Sequence, residues 1–134
     1  MGGGEEPIPA AAPLDPAPLD PAPLDPAAVA ALQEALGDAA RAVFEAFAED
    51  APRRWEAVAE AARRGDAQAL RAAAHTLKGA SGNVGALVLA GICLELEGRG
   101  REGRLEGLEA LLARGEAELR RVLAALPRPV PSPA

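Results

Sequence analysis

The sequence predicts an all-α protein: an antiparallel four-helix bundle with an accessory N-terminal helix. Three observations carry this. About half of the 134 residues are apolar, chiefly Ala and Leu, and the aromatics are only Phe44, Phe47 and Trp55. Such poverty in sheet-forming residues favours packed helices. Of thirteen prolines, only Pro26 and Pro52 fall between residues 25 and 126, and across that stretch apolar residues recur every three or four positions.

The chain is sized for one domain. Residues 1–23 read as a disordered Pro/Ala-rich tail, a composition that favours an extended, mobile linker. Leu-Asp-Pro-Ala occurs three times, beginning at Leu14, Leu19 and Leu24. The third copy differs because a helical pattern follows it: Asp25 suits a cap and Pro26 a first helical position. The domain is expected over 24–126, with a second Pro-rich tail at 127–134.

Helix A is expected over about 26–36. Helix B starts after Asp38 and runs to Arg64, with Gly65 as its stop. Its stripe of Phe44, Phe47, Ala51, Trp55, Val58 and Ala62 keeps phase across Pro52, which predicts one kinked helix rather than two. Helix C begins after Asp66 and ends near Asn83. Helix D runs from Ala86 to about Arg99, with Leu89, Cys93 and Leu96 in phase. Helix E spans about Leu105 to Leu126, with Leu105, Leu108, Leu112, Leu119, Val122 and Leu126 at coiled-coil-like spacing. Short connections imply antiparallel neighbours.

Composition narrows the function. The formal net charge is −6, of which residues 1–24 carry −4 through Glu5, Glu6, Asp15 and Asp20. The rest is nearly neutral and poor in aromatics, a poor match to nucleic acid. The lone Cys93 cannot close an internal disulfide and reads as a buried, inert thiol. No signal peptide or membrane-spanning run is visible, so a cytoplasmic protein with no membrane partner is expected. Metal-ligand clusters with zinc spacing and a Walker A motif are absent. "GRGREG", Gly98 to Gly103, matches G-x-G-x-x-G, but it is placed at a helix D–E turn rather than between a strand and a helix.

The informative stretch is "AAAHTLKGASGNVGAL", residues 72–87, which holds the chain's only histidine. At about 100° per residue, Leu70, Ala73, Ala74, Ala80, Ser81 and Val84 share a face with Leu77. His75 falls roughly 160° from Leu77. Gly79 and Gly82 lie beside it, Ala72 completes the patch, and Arg71 and Lys78 flank it. Each glycine weakens a helix interior by about 1 kcal/mol relative to alanine, and solvent-facing helix positions favour Ala, Glu or Lys. The patch therefore reads as a bare landing area around an exposed imidazole, and the adjacent cations suit a phosphoryl group.

"HTLKGASGNVGA", within an all-helical module of about 100 residues, closely resembles the histidine-containing phosphotransfer (HPt) domains of bacterial phosphorelays. "LDPAAVAAL", "FAEDAP", "GDAQALRAAAHTLKG" and "AGICLELE" extend the resemblance over about residues 24–126. The resemblance implies that His75 is the phosphoacceptor through Nε2, that Lys78 stabilises the phosphoryl charge and that Gly79 leaves room for the partner. Arg71 and Gly82 would support the site. In some members a Gln on helix D bonds the other imidazole nitrogen. Counting along the antiparallel pair puts Glu97 there, a carboxylate able to orient the ring but one that would favour its protonation. Arg104 stands where a capping Asp or Asn is common and Gly115 where a larger apolar residue is usual, and either departure is expected to loosen helix E.

The implied function is that of a phosphorelay intermediate. A receiver-domain aspartate, or a kinase, loads His75, which passes the phosphoryl group to another receiver. The chain would be a monomeric carrier without kinase activity or a cofactor of its own, with Mg²⁺ held by the partner receiver. The partners implied are response-regulator receiver domains and a hybrid histidine kinase. Two alternatives remain: a detached chemotaxis-kinase-type phosphoacceptor domain, and a helical adaptor that binds without phosphotransfer. Leu87, Val88 and Leu94, out of phase with the helix D core, are candidates for a docking surface.

Overall fold

The computed structural model describes residues 21–127, and the remainder of both Pro-rich tails lies outside the described residues. Five helices follow in order: α1 (Pro26–Leu36), α2 (Ala39–Arg63), α3 (Ala67–Asn83), α4 (Leu87–Glu102) and α5 (Glu109–Ala125).

The third Leu-Asp-Pro-Ala copy starts α1 as expected. The Asp25 carboxylate accepts from the Ala28 N–H at 3.1 Å, and Pro26 occupies the first turn. Leu24 is buried. The Asp25 N–H donates to the Gly85 carbonyl at 2.8 Å, which ties this start to the α3–α4 turn. Gly85 sits at φ +81°, where a side chain would be strained, and an added Cβ would press on Ala28.

α2 runs unbroken through the exposed Pro52. Phe44, Phe47, Ala51, Trp55 and Val58 face the core, and the stripe closes on Ala61, with Ala62 only partly covered. Asp66 caps α3 by accepting from the Ala69 N–H at 3.0 Å. Leu70, Ala74, Leu77 and Ser81 are its buried residues, as helical phase predicts. α3 pairs most extensively with α4 and next with α2, while α5 closes the bundle against α4 and α2.

The α4–α5 connection departs from expectation. α4 continues to Glu102, three residues beyond the predicted end, and α5 begins at Glu109 rather than near Leu105. Gly103, at φ +69°, stops α4. The Arg99 guanidinium then donates to the carbonyls of Arg104 (2.7 Å) and Glu106, holding the turn. Leu105 and Leu108 pack from this turn instead of from a helical stripe. Arg104 is not at a helix start, because Leu108 occupies the position before α5. "GRGREG" is the last turn of α4 plus its stop, not the opening of a helix.

Gly115 also reverses its expectation. It is buried on α5, and an added Cβ would overlap the Trp55 indole of α2. The missing side chain is the space that the ring fills, so this glycine joins α5 to α2. Further along α5, the buried Glu118 pairs with Arg121 at 2.8 Å, and Arg121 donates to the Pro21 carbonyl at 3.0 Å.

Candidate functional site

The site lies on the outer face of the α3–α4 pair. α3 turns Leu77 inward to complete burial and thereby turns His75 outward, leaving its side chain 67% exposed. One turn on, Gly79 and Gly82 are exposed, and an added Cβ at either would meet no atom within 4 Å. The bare patch expected from helical phase is present.

α4 supplies the residue that faces the ring. The Glu97 side chain is only 6% exposed, and its Oε2 lies 3.0 Å from His75 Nδ1. Oε1 accepts from Lys78 Nζ at 2.7 Å, and Oε2 also accepts from the Arg101 guanidinium at 3.3 Å. A buried carboxylate is costly unless its oxygens are partnered, and here both are. Its carboxyl is held below the usual carboxylate range, first by the Lys78 hydrogen bond, against the opposing effect of burial, and then by the bond to His75.

This geometry decides the imidazole tautomer. An ionised carboxylate can only accept, so Nδ1 facing it carries the proton. Nε2, the other ring nitrogen, is then directed away from Glu97. The result is an exposed imidazole oriented by the Glu97 carboxylate.

His75, Lys78 and Glu97 are thus brought together as the sequence suggested. Arg71 is close by: with Gln68, Ala72, His75, Thr76 and Glu97 it lines an open concavity of about 370 Å³. Leu87 and Leu94 are each 54% exposed on α4, but Val88 packs partly against the core and drops out of the predicted docking surface. Cys93 is fully buried below the site, and its thiol is pushed up to about 12, mainly by burial and then by the Glu97 charge. Among the described residues, no three His, Cys, Asp or Glu side chains gather where they could hold a metal ion, and no helix is long and apolar enough to cross a membrane.

Arg101 is the site residue that sequence reasoning missed. The signal was available, because Arg101 follows Glu97 by four residues and such pairs meet on a helix. Ending helix D near Arg99 had placed it in a turn.

Comparison with known proteins gives a consistent result. The family model of the Hpt domain matches residues 42–128. Among solved structures, the chain is similar to histidine-containing phosphotransfer protein B from Pseudomonas aeruginosa PAO1. The two share 40% sequence identity and a TM-score of 0.72, over 76% of this chain and 89% of that one. Among curated proteins, none matches the chain significantly.

Proposed function

The chain belongs to the Hpt domain family, a histidine phosphotransfer protein of phosphorelays, and on that premise we propose that His75 is its phosphoacceptor. The observation that carries this is the Nδ1–Glu97 contact at 3.0 Å on a ring that is 67% exposed. It leaves Nε2 as the outward nucleophile beside two glycines.

The donor is an aspartyl phosphate on a receiver domain, such as that of a hybrid histidine kinase. The Nε2 lone pair attacks phosphorus in line, the N–P bond forms, and the bond from phosphorus to the aspartyl oxygen breaks. The electron pair of that bond stays on the aspartate carboxylate. The Nδ1 proton remains shared with Glu97 Oε2 and balances the positive charge developing on the ring. In the onward step an aspartate oxygen of the second receiver attacks phosphorus, the N–P bond breaks and its electron pair returns to Nε2. With the proton on Nδ1, the leaving group is neutral imidazole rather than an imidazolate.

Catalysis here is mostly positioning and charge neutralisation. The receiver contributes Mg²⁺. This chain contributes a fixed ring, the room around Gly79 and Gly82, and cations in Lys78 and Arg71. The exposed Leu87 and Leu94 offer the receiver an apolar contact. The chain acts as a carrier and draws no phosphate from ATP by itself.

The test is phosphorylation by a loaded receiver, followed by mapping of the phosphate. The expected product is an acid-labile, alkali-stable phosphate on His75, lost completely in His75→Gln with helix content unchanged. Phosphate on the His75→Gln variant from the same donor would sink the assignment. Receiver binding that persists in His75→Gln, with no transfer to the wild type, would favour the adaptor instead.

A further inference from the structure

Glu97 holds more positive charge than orienting one ring requires. A neutral acceptor would fix Nδ1–H equally well, yet this carboxylate also takes Lys78 on Oε1 at 2.7 Å and Arg101 on Oε2 at 3.3 Å. Arg101 therefore shares the oxygen that accepts from His75. Two donors on one oxygen compete for its electron density, and the guanidinium charge weakens the negative potential at Nδ1.

Among the described residues, the charged and titratable groups facing Glu97 are few. α3 contributes His75 and Lys78, with Arg71 on the shared concavity, and α4 contributes Arg101. The Cys93 thiol nearby is neutral. Lys78 has a flexible stem and a second demand on it, because a phosphoryl group on Nε2 draws the ammonium outward. Arg101 is then the charged partner left to Glu97.

We infer that Arg101 is a positioning residue acting through Glu97: it weakens the carboxylate's support of the proton on Nδ1 and so lengthens the life of the phosphoryl group on His75. The chemistry gives the direction. When the N–P bond breaks, its electron pair returns to Nε2 and the phosphoryl group passes to water or an aspartate. That step is easier when Nδ1 is protonated, because imidazole then leaves neutral. An undamped Glu97 keeps more of the phosphorylated rings protonated at Nδ1 and so shortens the life of the bond. The inference rests on His75 being the phosphoacceptor.

The test loads the full chain with phosphoramidate, a small donor that needs no protein partner. It follows loss of phosphate from His75, and the Nδ1 proton resonance is recorded separately on the unphosphorylated protein. Arg101→Gln is expected to shorten the half-life about threefold, the size associated with one partly exposed ion pair, and to move the Nδ1 proton signal downfield. Arg101→Lys should restore most of both. In a Glu97→Gln background, Arg101→Gln should change neither, because an amide needs no counter-ion. Equal shortening in both backgrounds would overturn the inference and place Arg101 on the phosphoryl group directly. An unmoved resonance in Arg101→Gln would overturn it too. Failure of the wild type to take phosphate on His75 would instead refute the phosphoacceptor reading, while the resonance still decides whether Arg101 acts on Glu97.

Discussion

At Gly79 and Gly82 an added methyl group would meet no atom within 4 Å, whereas at Gly100 it would lie 2.8 Å from both the Ala67 carbonyl oxygen and the Arg71 amide nitrogen. All three glycines belong to the α3–α4 pair, and each costs helix propensity. Gly100 is bare because two backbones meet there. That close approach lies one turn beyond Glu97 and fixes the separation across which Glu97 reaches His75. Gly79 and Gly82 are bare although nothing within the chain occupies the space. Packing explains the first case, and access for another molecule is the reason we propose for the second.

The sharpest way to break this comparison is Gly100→Ala. The obstructing atoms are backbone, so relief requires moving α4 away from α3. Overpacking of this kind costs about 1–3 kcal/mol, and the upper part of that range is expected even after the gain in helix propensity. Urea denaturation measures it. A variant as stable as the wild type would show that the helices do not need their close approach.

Gly115→Ala sharpens the comparison by changing what is struck. Its Cβ would overlap the Trp55 indole, a side chain rather than backbone. The ring can tilt where a backbone cannot, so a smaller loss of about 1–2 kcal/mol is expected. Trp55 is the only tryptophan, so its fluorescence reports the displacement directly. Unchanged emission with unchanged stability would restore the view that Gly115 merely loosens α5.

Gly115 also shows where sequence reading stops. Its partner is sixty positions away on α2, and no local pattern announces that contact. Helices α1 to α3 were legible nearly to the residue, because Asp25 and Asp66 cap, Pro26 starts α1, and Gly65 stops α2. The α4–α5 turn was not, because "GRGREG" contains three glycines and only Gly103 ends the helix. Gly98 and Gly100 continue it, and Gly100 is set by packing. The same turn hid Arg101. His75 was legible because phase against Leu77 is a local property. That Glu97 would collect Lys78 and Arg101 as well as the ring depended on side chains meeting across two helices.

Gly79→Ala carries the smallest expected effect and the opposite sign. With open space around the position, the alanine should stabilise the protein by about 0.5–1 kcal/mol through helix propensity alone. Its methyl group would stand one turn from His75, on the face proposed for receiver approach. Loading from a receiver should therefore fall more than loading from phosphoramidate, which is small enough to pass the methyl group. The two readouts separate propensity from access, since a stability gain says nothing about docking. Destabilisation by Gly79→Ala would mean that the position is packed after all. Wild-type transfer from a receiver would mean that the bare face is not kept for a partner, and the glycines beside His75 would again lack a reason.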